Sequence, residues 1–514
     1  MRRSRFRPDR RRLLLGSASL LTLSACATHR APALRPDADP FTLGVASGDP
    51  QADGFVIWTR LAPRPLSGGG LPAVAIEVDW EVAADEHFRD IRSAGRALAE
   101  PEWAHSLHVE VAGLQADRWY WYRFRWADAL SPAGRARTTP QAGAALAGMR
   151  FAYASCQHYE QGHYAAYRHM VADHPDLILH LGDYIYESST QSPLRQHEAG
   201  EPQSLDEYRN RHACYKLDRN LQAAHAACAW LLCWDDHEVD NDYAGSHSQD
   251  FEPADSFLQR RAAAYRAYWE HMPLRLRARP RGADMPLYQR SVFGDLIAFQ
   301  VLDTRQYRDD QACPLPGYGG GRLLTDCAAL ADPARSMLGP DQEQWLLDGL
   351  GRSRTRWNLL AQSMLMAPLD QVAGPAYGSW TEGWDGYAPA RRRILDRLAA
   401  AGTPNPVVIG GDIHSFWANE LAPAPGAAPV ATEFTGTSIS SVGVPYDAFA
   451  AILPENPHVK FFDSRQRGYV LCQVTPERLD VDFRVVADVR DPASAGSTLR
   501  RFAVESGRPR ILAG

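Results

Sequence analysis

A cysteine stands where a hydrophobic run ends in this chain, in the stretch FAYASCQHYEQGHY. This residue, Cys156, precedes an abruptly polar and aromatic segment, as expected where a strand passes into a loop. A thiolate is a strong soft metal ligand, and a bound cation deprotonates the thiol outright. Cys156 is therefore the first candidate for metal chemistry.

Two further strand ends carry side chains that could share a cation. In HLGDYIYE, Asp183 follows a predicted strand and a glycine that gives the backbone room to turn. One carboxylate has two oxygens and can bridge two cations. In VIGGDIHSFWANE, Asp412 and His414 are two residues apart, so on an extended segment they point the same way. This spacing predicts ligands for one cation or for two neighbouring cations.

The densest polar cluster follows the apolar run that ends at Trp234. The cluster comprises Asp235, Asp236, His237, Glu238, Asp240, Asn241 and Asp242. So much charge against a buried strand end is costly unless cations offset it. Each motif alone has an ordinary structural explanation, because a single Asp after a strand is commonly a helix cap and Tyr184 or Tyr186 alone fits a core aromatic. Recurrence at four strand ends favours a metal site.

Two kinds of sequence pattern surround these motifs. The chain has 514 residues, which exceeds the usual size of a single hydrophobic core. After a Pro- and Ala-rich tether at 28–40, short alternating segments over 41–140 predict a small β-sandwich similar to fibronectin type III modules. Over 148–490, continuous apolar runs alternate with helical segments, which is typical of α/β sheets covered on both faces. Ligands gather beyond the carboxyl ends of such strands. Residues 491–514 are predicted to form a C-terminal tail.

The first 27 residues have the charged and apolar regions of a secretory signal. Within them, RRRLL beginning at Arg10 resembles a twin-arginine signal, and LSAC ending at Cys26 resembles a lipobox whose cysteine is acylated. Alternatively, Cys26 belongs to a plain cleavage site and is discarded. These motifs predict export by the twin-arginine (Tat) machinery to the periplasm or the cell surface, with a lipid anchor through Cys26 as one alternative.

Loss of residues 1–27 removes seven arginines and Asp9, which moves the formal net charge from −6 to −12. A protein this acidic is a poor binder of nucleic acids by bulk charge, so no specific nucleic-acid binding is expected.

Seven cysteines remain once Cys26 is set aside, which is an odd number. If Cys156 is reserved for chemistry, the other six can pair. The local candidates for disulfides are Cys313 with Cys327 and Cys214 with Cys228. Alternatively, Cys233 and Cys472, both in apolar strands, are buried thiols that behave as small hydrophobic residues.

The order of the motifs SCQ, LGDYIYE, WDDHEVDND, LDTRQYR, GGDIH and EFTGTSISS resembles that of the PhoD-type alkaline phosphatases and phosphodiesterases, within the calcineurin-like metallophosphoesterase superfamily. The resemblance covers almost the whole chain after the signal. It implies a metallophosphoesterase-like αββα sandwich of mixed sheets, preceded by the small β-sandwich. It also implies a metal-dependent phosphoric ester hydrolase that is exported by the twin-arginine route.

The same resemblance implies a centre with Fe³⁺ and Ca²⁺. The residues carried over as iron ligands are Cys156, Tyr186 and His414, with Asp183 bridging iron and calcium and Asn241 and Asp412 binding calcium. Thiolate and phenolate donate strongly to Fe³⁺, whereas ligands with only oxygen donors suit the hard Ca²⁺. The four anionic ligands would leave about one net positive charge on such a centre, which would attract phosphate within an acidic protein.

The implied reaction is in-line attack on a phosphoester by a metal-bound hydroxide. His237, beside the acidic cluster, is the candidate leaving-group acid or phosphate contact. Asp235 and Asp236 are either metal ligands or their supporting partners. Arg305 either holds phosphate through two hydrogen bonds or forms a buried pair with Asp303.

Two other functions stay open from the sequence. One is a phospholipase-like or teichoic-acid-directed phosphodiesterase that uses the same metals. The other is a non-catalytic surface binding protein, which the presence of all six implied ligands disfavours. Substrate size depends on the segments 188–225, 306–340 and 370–388, and the aromatic stretch YGSWTEGWDGY in the last is either a lid or packing.

Overall fold

The computed structural model describes residues 35–514. The predicted signal, its Cys26 and most of the predicted tether lie outside the described residues. Residues Pro36–Gly514 form one compact unit. No helix in this described part is long and apolar enough to cross a membrane.

The first eight strands occupy the region predicted to be a small β-sandwich. They are β1 (Val45–Gln51), β2 (Gly54–Arg60), β3 (Ile76–Ala83), β4 (Ile91–Ala99), β5 (Ser106–Val111), β6 (Trp119–Trp126), β7 (Ala129–Leu130) and β8 (Gly134–Arg137). One sheet has the order β4-β3-β6-β7, with β8 also paired to β6. Phe55 of β2 packs against Tyr122 of β6, with 6.4 Å between ring centroids, so two layers of strands share a core here.

The remaining strands begin at Met149. They are β9 (Met149–Ala154), β10 (Leu177–Leu181), β11 (Ala229–Cys233), β12 (Gln289–Phe293), β13 (Ile297–Val301), β14 (Leu323–Leu324), β15 (Trp357–Ala361), β16 (Ser379–Trp380), β17 (Pro406–Gly410), β18 (Phe416–Leu421), β19 (Ala431–Thr435), β20 (Val459–Asp463), β21 (Arg467–Val474), β22 (Arg478–Val486), β23 (Gly496–Glu505) and β24 (Leu512–Ala513).

These strands form two large sheets and one two-stranded ribbon. The ten-stranded sheet has the order β24-β23-β22-β21-β9-β10-β11-β1-β2-β5, and the seven-stranded sheet has the order β12-β13-β15-β17-β19-β18-β20. Strands β14 and β16 pair antiparallel. The strands β1, β2 and β5 join the larger sheet through one parallel pair, Gly48 with Trp230. A Cβ on Gly48 would lie 2.2 Å from the carbonyl oxygen of Pro273, so only glycine permits this close approach.

Aromatic side chains join the inner faces of the two large sheets. Phe151 of β9 meets Phe299 of β13 edge to face, with 5.2 Å between ring centroids. Phe416 of β18 stacks on Phe483 of β22 at 4.4 Å. The predicted mixed α/β class is confirmed. The continuous apolar runs are strands covered on both faces, as predicted, because every residue of β10, β11, β13, β15 and β17 is buried.

Seven α-helices lie in the described residues. They are α1 (Ala165–Ala172), α2 (Leu205–Lys216), α3 (Arg219–Ala227), α4 (Ala254–His271), α5 (Gly339–Arg352), α6 (Ala388–Ala401) and α7 (Tyr446–Ala451). Ser204 and Glu207 form a reciprocal capping box at the start of α2. Gly402 ends α6 in the left-handed conformation, with φ 60°.

Two features differ from the sequence analysis. Instead of a tail, the segment 491–514 contains β23 and β24, because Phe502 and its neighbours are buried against β22. The predicted disulfide between Cys214 and Cys228 is wrong. The Cys214 thiol interacts with Tyr159, whereas Cys228 lies by the backbone of Ile178, so separate surroundings hold the two thiols apart.

Two other cysteine predictions are confirmed, whereas the pairing of all six cysteines is wrong. Cys313 and Cys327 form a disulfide, and Cys233 and Cys472 are buried free thiols.

Candidate metal centre

The predicted ligand motifs follow strands of both large sheets. Cys156 follows β9, Asp183 follows β10 and Asp412 follows β17. These three residues and His414 all have left-handed backbone conformations, with φ between 52° and 64°. Non-glycine residues rarely adopt this region, and such strain concentrates at functional sites. The prediction that Asp412 and His414 share an extended segment is wrong, because the chain turns there between β17 and β18.

Four of the predicted ligands meet in one buried cluster. Suitable donor atoms of Cys156, Asp183 and His414 all lie within 4.8 Å of one another. The Tyr186 hydroxyl donates to Asp183 Oδ2 at 2.7 Å and lies 3.0 Å from His414 Nε2. Ser441 Oγ lies 2.9 Å from the same hydroxyl. A thiol, a carboxyl, a phenol and an imidazole thus face a common point.

The carboxylate of Glu238 fixes two of the strand ends that carry this cluster. It accepts hydrogen bonds from the backbone N–H groups of Asp183 at 3.1 Å, Tyr184 at 2.6 Å and Asp235 at 2.9 Å. The Cys156 N–H donates to the Gly182 carbonyl oxygen at 3.1 Å. The loops after β9, β10 and β11 are therefore tied together by backbone groups, and the side chains are positioned before any ligand arrives.

Burial sets the protonation of the cluster. Burial, with the nearby Asp183 carboxyl as a second cause, raises the pKa of the Cys156 thiol well above its usual value. Burial likewise raises the pKa of Asp183 well above its usual range. A cation reverses this effect because it stabilises the thiolate and the carboxylate.

A second group of carboxylates adjoins the first. Carboxylate oxygens of Asp235, Asp236 and Asp412 lie within 4.8 Å of one another, and so do those of Asp236, Asp242 and Glu382. Sequence reasoning missed Glu382. Its signal is an acidic residue two positions beyond the end of a short strand, β16, the same offset as Cys156, Asp183 and Asp412, but inside a stretch dominated by aromatic residues.

Arg305 lies behind these carboxylates and is completely buried. Its guanidinium forms ion pairs with Asp235 and Glu382, and it lies 3.6 Å from Asp236 Oδ1. The predicted pair with Asp303 is wrong, because that carboxylate accepts the Arg305 backbone N–H at 3.0 Å instead. The alternative role as a phosphate contact stays a prediction: acidic groups engage Nε and Nη1, whereas the buried Nη2 has no hydrogen-bond partner among the described residues.

The remaining predicted residues lie at the edge of the cluster. His237 Nδ1 lies 2.7 Å from Glu187 Oε2, and its ring stacks on that of Tyr186 with 4.1 Å between centroids. Burial opposes the charged form of His237, but Glu187 and the neighbouring aspartates outweigh burial and raise the pKa well above its usual value. The Asn241 amide nitrogen donates to Gln249 Oε1 at 2.8 Å, which leaves the amide oxygen for a cation.

A cavity of about 480 Å³ opens over the second group. Asp183, Asp412, His414, His237 and Asn241 line it, together with apolar residues from other segments. The stretch YGSWTEGWDGY contributes both to the cavity lining and to packing, since Trp380 is 39% exposed whereas Trp384 is buried.

Comparison with known proteins identifies the family of this chain. Residues 151–483 match the model of the PhoD-like phosphatase, and residues 25–140 match that of the PhoD-like phosphatase N-terminal domain. Alkaline phosphatase D of Bacillus subtilis (strain 168) is 45% identical over 521 aligned residues, which cover 97% of this chain and 88% of that protein. The chain belongs to the PhoD-like phosphatase family.

A solved structure of PhoD has the same fold. It superposes with a TM-score of 0.90 at 44% identity, over 94% of this chain and 93% of that chain. The resemblance inferred from the order of the motifs is therefore confirmed. As a PhoD-like phosphatase, the chain is a phosphoric ester hydrolase, and the clustered donor groups agree with metal dependence.

Proposed function

We propose that this PhoD-like phosphatase hydrolyses phosphoesters at a centre of Fe³⁺ and Ca²⁺. The observation that carries the proposal is the convergence of Cys156, Asp183 and His414 within 4.8 Å, with the Tyr186 hydroxyl at hydrogen-bond distance from two of them. The iron ligands would be Cys156, Tyr186 and His414. Asp183 would bridge the two ions, and Asn241 and Asp412 would bind calcium.

The donor set fits these ions. Asp183 Oδ1 and Asp235 Oδ2 are buried and have no hydrogen-bond partner among the described residues, which is costly unless a cation occupies the site. Thiolate, phenolate and imidazole suit iron, and the carboxylate and amide oxygens suit calcium. When bound, the cations would supply positive charge that polarises the phosphoryl group and lowers the pKa of a water molecule.

The residues around the ions would orient the substrate and move a proton. Glu187 holds His237 through Nδ1, which leaves Nε2 as the nitrogen that can donate to the leaving-group oxygen. Stacking on Tyr186 fixes the plane of the imidazole beside the proposed iron ligand. Arg305 keeps Asp235 and Glu382 in place behind the cavity.

The role of His237 predicts a leaving-group dependence. For the variant His237→Asn, we expect kcat to fall by about 10²- to 10⁴-fold on an alkyl phosphate, whose alkoxide leaves poorly without a proton. The loss on p-nitrophenyl phosphate should be much smaller, because nitrophenolate leaves unprotonated. Steady-state kinetics on both substrates, with the metal content checked, measures this difference. Equal losses on the two substrates would point to a phosphate contact instead.

The metal proposal has a direct test. The purified protein should contain iron and calcium by elemental analysis and should show a visible absorption band from phenolate or thiolate bound to iron. Chelation should abolish hydrolysis of p-nitrophenyl phosphate and bis-p-nitrophenyl phosphate, and the two ions added together should restore it. A colourless, iron-free preparation with full activity would contradict the iron assignment but not the hydrolase assignment.

The proposal extends to architecture and location. The ring contacts between the two large sheets support an αββα sandwich, and the two strand layers before Met149 support a fibronectin-III-like module. The N-terminal motifs support export by the twin-arginine machinery to the periplasm or cell surface, with Cys26 as the candidate lipid anchor. Comparison of the secreted mass of the wild-type chain and a Cys26→Ala variant would test the anchor.

A further inference from the structure

The residues that line the cavity over the candidate centre are of two chemical kinds, which we call its two walls. One carries the carboxylates and histidines described above. The other is apolar and includes Leu365, Leu369, Trp380, Ile413, Val444 and Phe449. An apolar wall beside a few convergent polar groups is the usual composition of a small-molecule site.

The apolar wall is fixed relative to the carboxylates. Phe449 of α7 packs on Trp417 and Phe462, with ring centroids 6.2 and 6.0 Å apart. The chain before α7 is held at Val442, whose N–H donates to Gln161 Oε1 at 2.7 Å and whose carbonyl oxygen lies 2.8 Å from His414 Nδ1. The segment that leads into α7 therefore contacts the proposed iron ligand His414 and also carries Val444 and Phe449 of the apolar wall.

Trp380 is held by a different segment of the chain. It belongs to β16, which pairs with β14, and β14 lies within the loop closed by the disulfide between Cys313 and Cys327. Trp380 remains 39% exposed, so part of a large apolar residue faces solvent at this part of the cavity. Exposed aromatic surface beside a reactive centre is available for a ligand.

The charges of the cavity disfavour an anionic group on this side. Among the described residues, no arginine or lysine lines the cavity. The side chains of Arg305 and Arg308 are fully buried, and both are engaged by Glu382. Sites that bind additional phosphates or carboxylates supply such cations for bidentate recognition. Here Glu382 and Asp385 line the cavity instead, and the arginines that pair with them are not part of its lining, so no cation is offered to a second anion.

We propose that the apolar wall formed by Leu369, Trp380, Val444 and Phe449 binds the alcohol part of the substrate, and that this part is an uncharged group with an apolar body. The inference rests on the proposed function, because it places the phosphorus atom among the carboxylates at the strand ends. It adds the substrate class: phosphoesters of apolar alcohols, in preference to esters whose alcohol carries further anionic groups.

A series of n-alkylphosphonates tests this inference, because each compound carries a single alkyl chain on phosphorus and cannot be hydrolysed. Competitive inhibition of p-nitrophenyl phosphate hydrolysis is measured from methyl- to hexylphosphonate with the metal-loaded enzyme. Each added methylene should lower the inhibition constant by roughly two- to fourfold. The inhibitor ω-carboxypentylphosphonate, similar in length to hexylphosphonate but anionic at its tip, should bind at least about tenfold more weakly. Calorimetric titration should show a heat-capacity change that grows more negative along the series.

Variants of the wall identify the residues responsible. Trp380→Ala and Phe449→Ala should each flatten the dependence on chain length, and Phe449→Arg should shift the preference toward ω-carboxypentylphosphonate. Leu98→Ala is the matched control, since Leu98 is 58% exposed on β4 and lies far along the chain from the cavity. The control should keep the full dependence.

A flat inhibition series, or equal binding of the hexyl and carboxypentyl compounds, would overturn the inference while leaving phosphoester hydrolysis intact. Failure of the metal-loaded enzyme to hydrolyse p-nitrophenyl phosphate would instead contradict the proposed function. In that case the calorimetric titrations of the alkylphosphonates would still show whether the apolar wall prefers apolar alkyl chains.

Discussion

The variant Cys156→Ser is expected to lose its iron and at least about a thousandfold in kcat/KM on p-nitrophenyl phosphate, an effect on the order of what metal-ion catalysis supplies. The serine hydroxyl has nearly the shape of the thiol but does not ionise to a soft ligand. Cys156 is buried beside Asp183 and His414, so its loss removes one donor from a closed set. Elemental analysis and the visible absorption band measure the loss of iron, and steady-state kinetics measures the loss in kcat/KM.

The matched control for this experiment is Cys472→Ser. Cys472 lies on β21, is as completely buried as Cys156 and is also a free thiol. Its replacement should lower the free energy of unfolding by about 1–3 kcal/mol, because a hydroxyl is left in an apolar layer, and should leave the iron content unchanged. If Cys156→Ser behaved like this control and kept its colour, Cys156 would be a structural thiol and the iron site would lie elsewhere.

The variant Arg305→Met should be strongly destabilised in the absence of metal. Arg305 is the buried counter-ion of Asp235 and Glu382, and removal of one partner of a buried ion pair costs about 3–5 kcal/mol. Calcium should recover part of this loss, because a cation among the carboxylates offsets their repulsion. We therefore expect a larger calcium-induced rise in the unfolding midpoint for the variant than for the wild-type chain, measured in urea with calcium or with chelator.

A surface arginine provides the comparison for Arg305. Arg392 pairs with Asp396 one helical turn away, and its side chain is 53% exposed. Arg392→Met should change the free energy of unfolding by no more than about 0.5 kcal/mol, with or without calcium. Should Arg305→Met be as stable as Arg392→Met in chelator and differ only by a higher KM, the interpretation of Arg305 as a counter-ion would fail, and a phosphate contact would explain its role better.

The parts of the site that sequence reasoning found share a local signature. Cys156, Asp183 and Asp412 each follow a short, wholly apolar run, and such runs are strands whose ends are predictable from the chain alone. Spacing alone did not identify the disulfide, because Cys313 and Cys327 form one across 14 positions, whereas Cys214 and Cys228 have the same spacing and do not. The mixed α/β class follows from the same alternation of buried strands and amphipathic helices.

The parts that it missed depend on partners distant in the chain. Arg305 finds Asp235 70 positions away and Glu382 77 positions away, and nothing beside Asp303 in the sequence indicates that its guanidinium prefers them. Glu382 lies among aromatic residues that suggest packing. The turn at Asp412 consists of left-handed backbone conformations at Asp412 and His414, which the alternation of residue types does not reveal. The six predicted ligands remain predictions until the metals are measured.

The single parallel pair between Gly48 and Trp230 makes the N-terminal strands the flank of the larger sheet. A chain shortened to begin at Met149 would turn β11 into an edge strand with unpaired backbone N–H and C=O groups. These groups could form hydrogen bonds with a strand of another copy. The strands before Met149 thus cover this edge of the larger sheet. Expression of the hydrolase part by itself should therefore yield insoluble material.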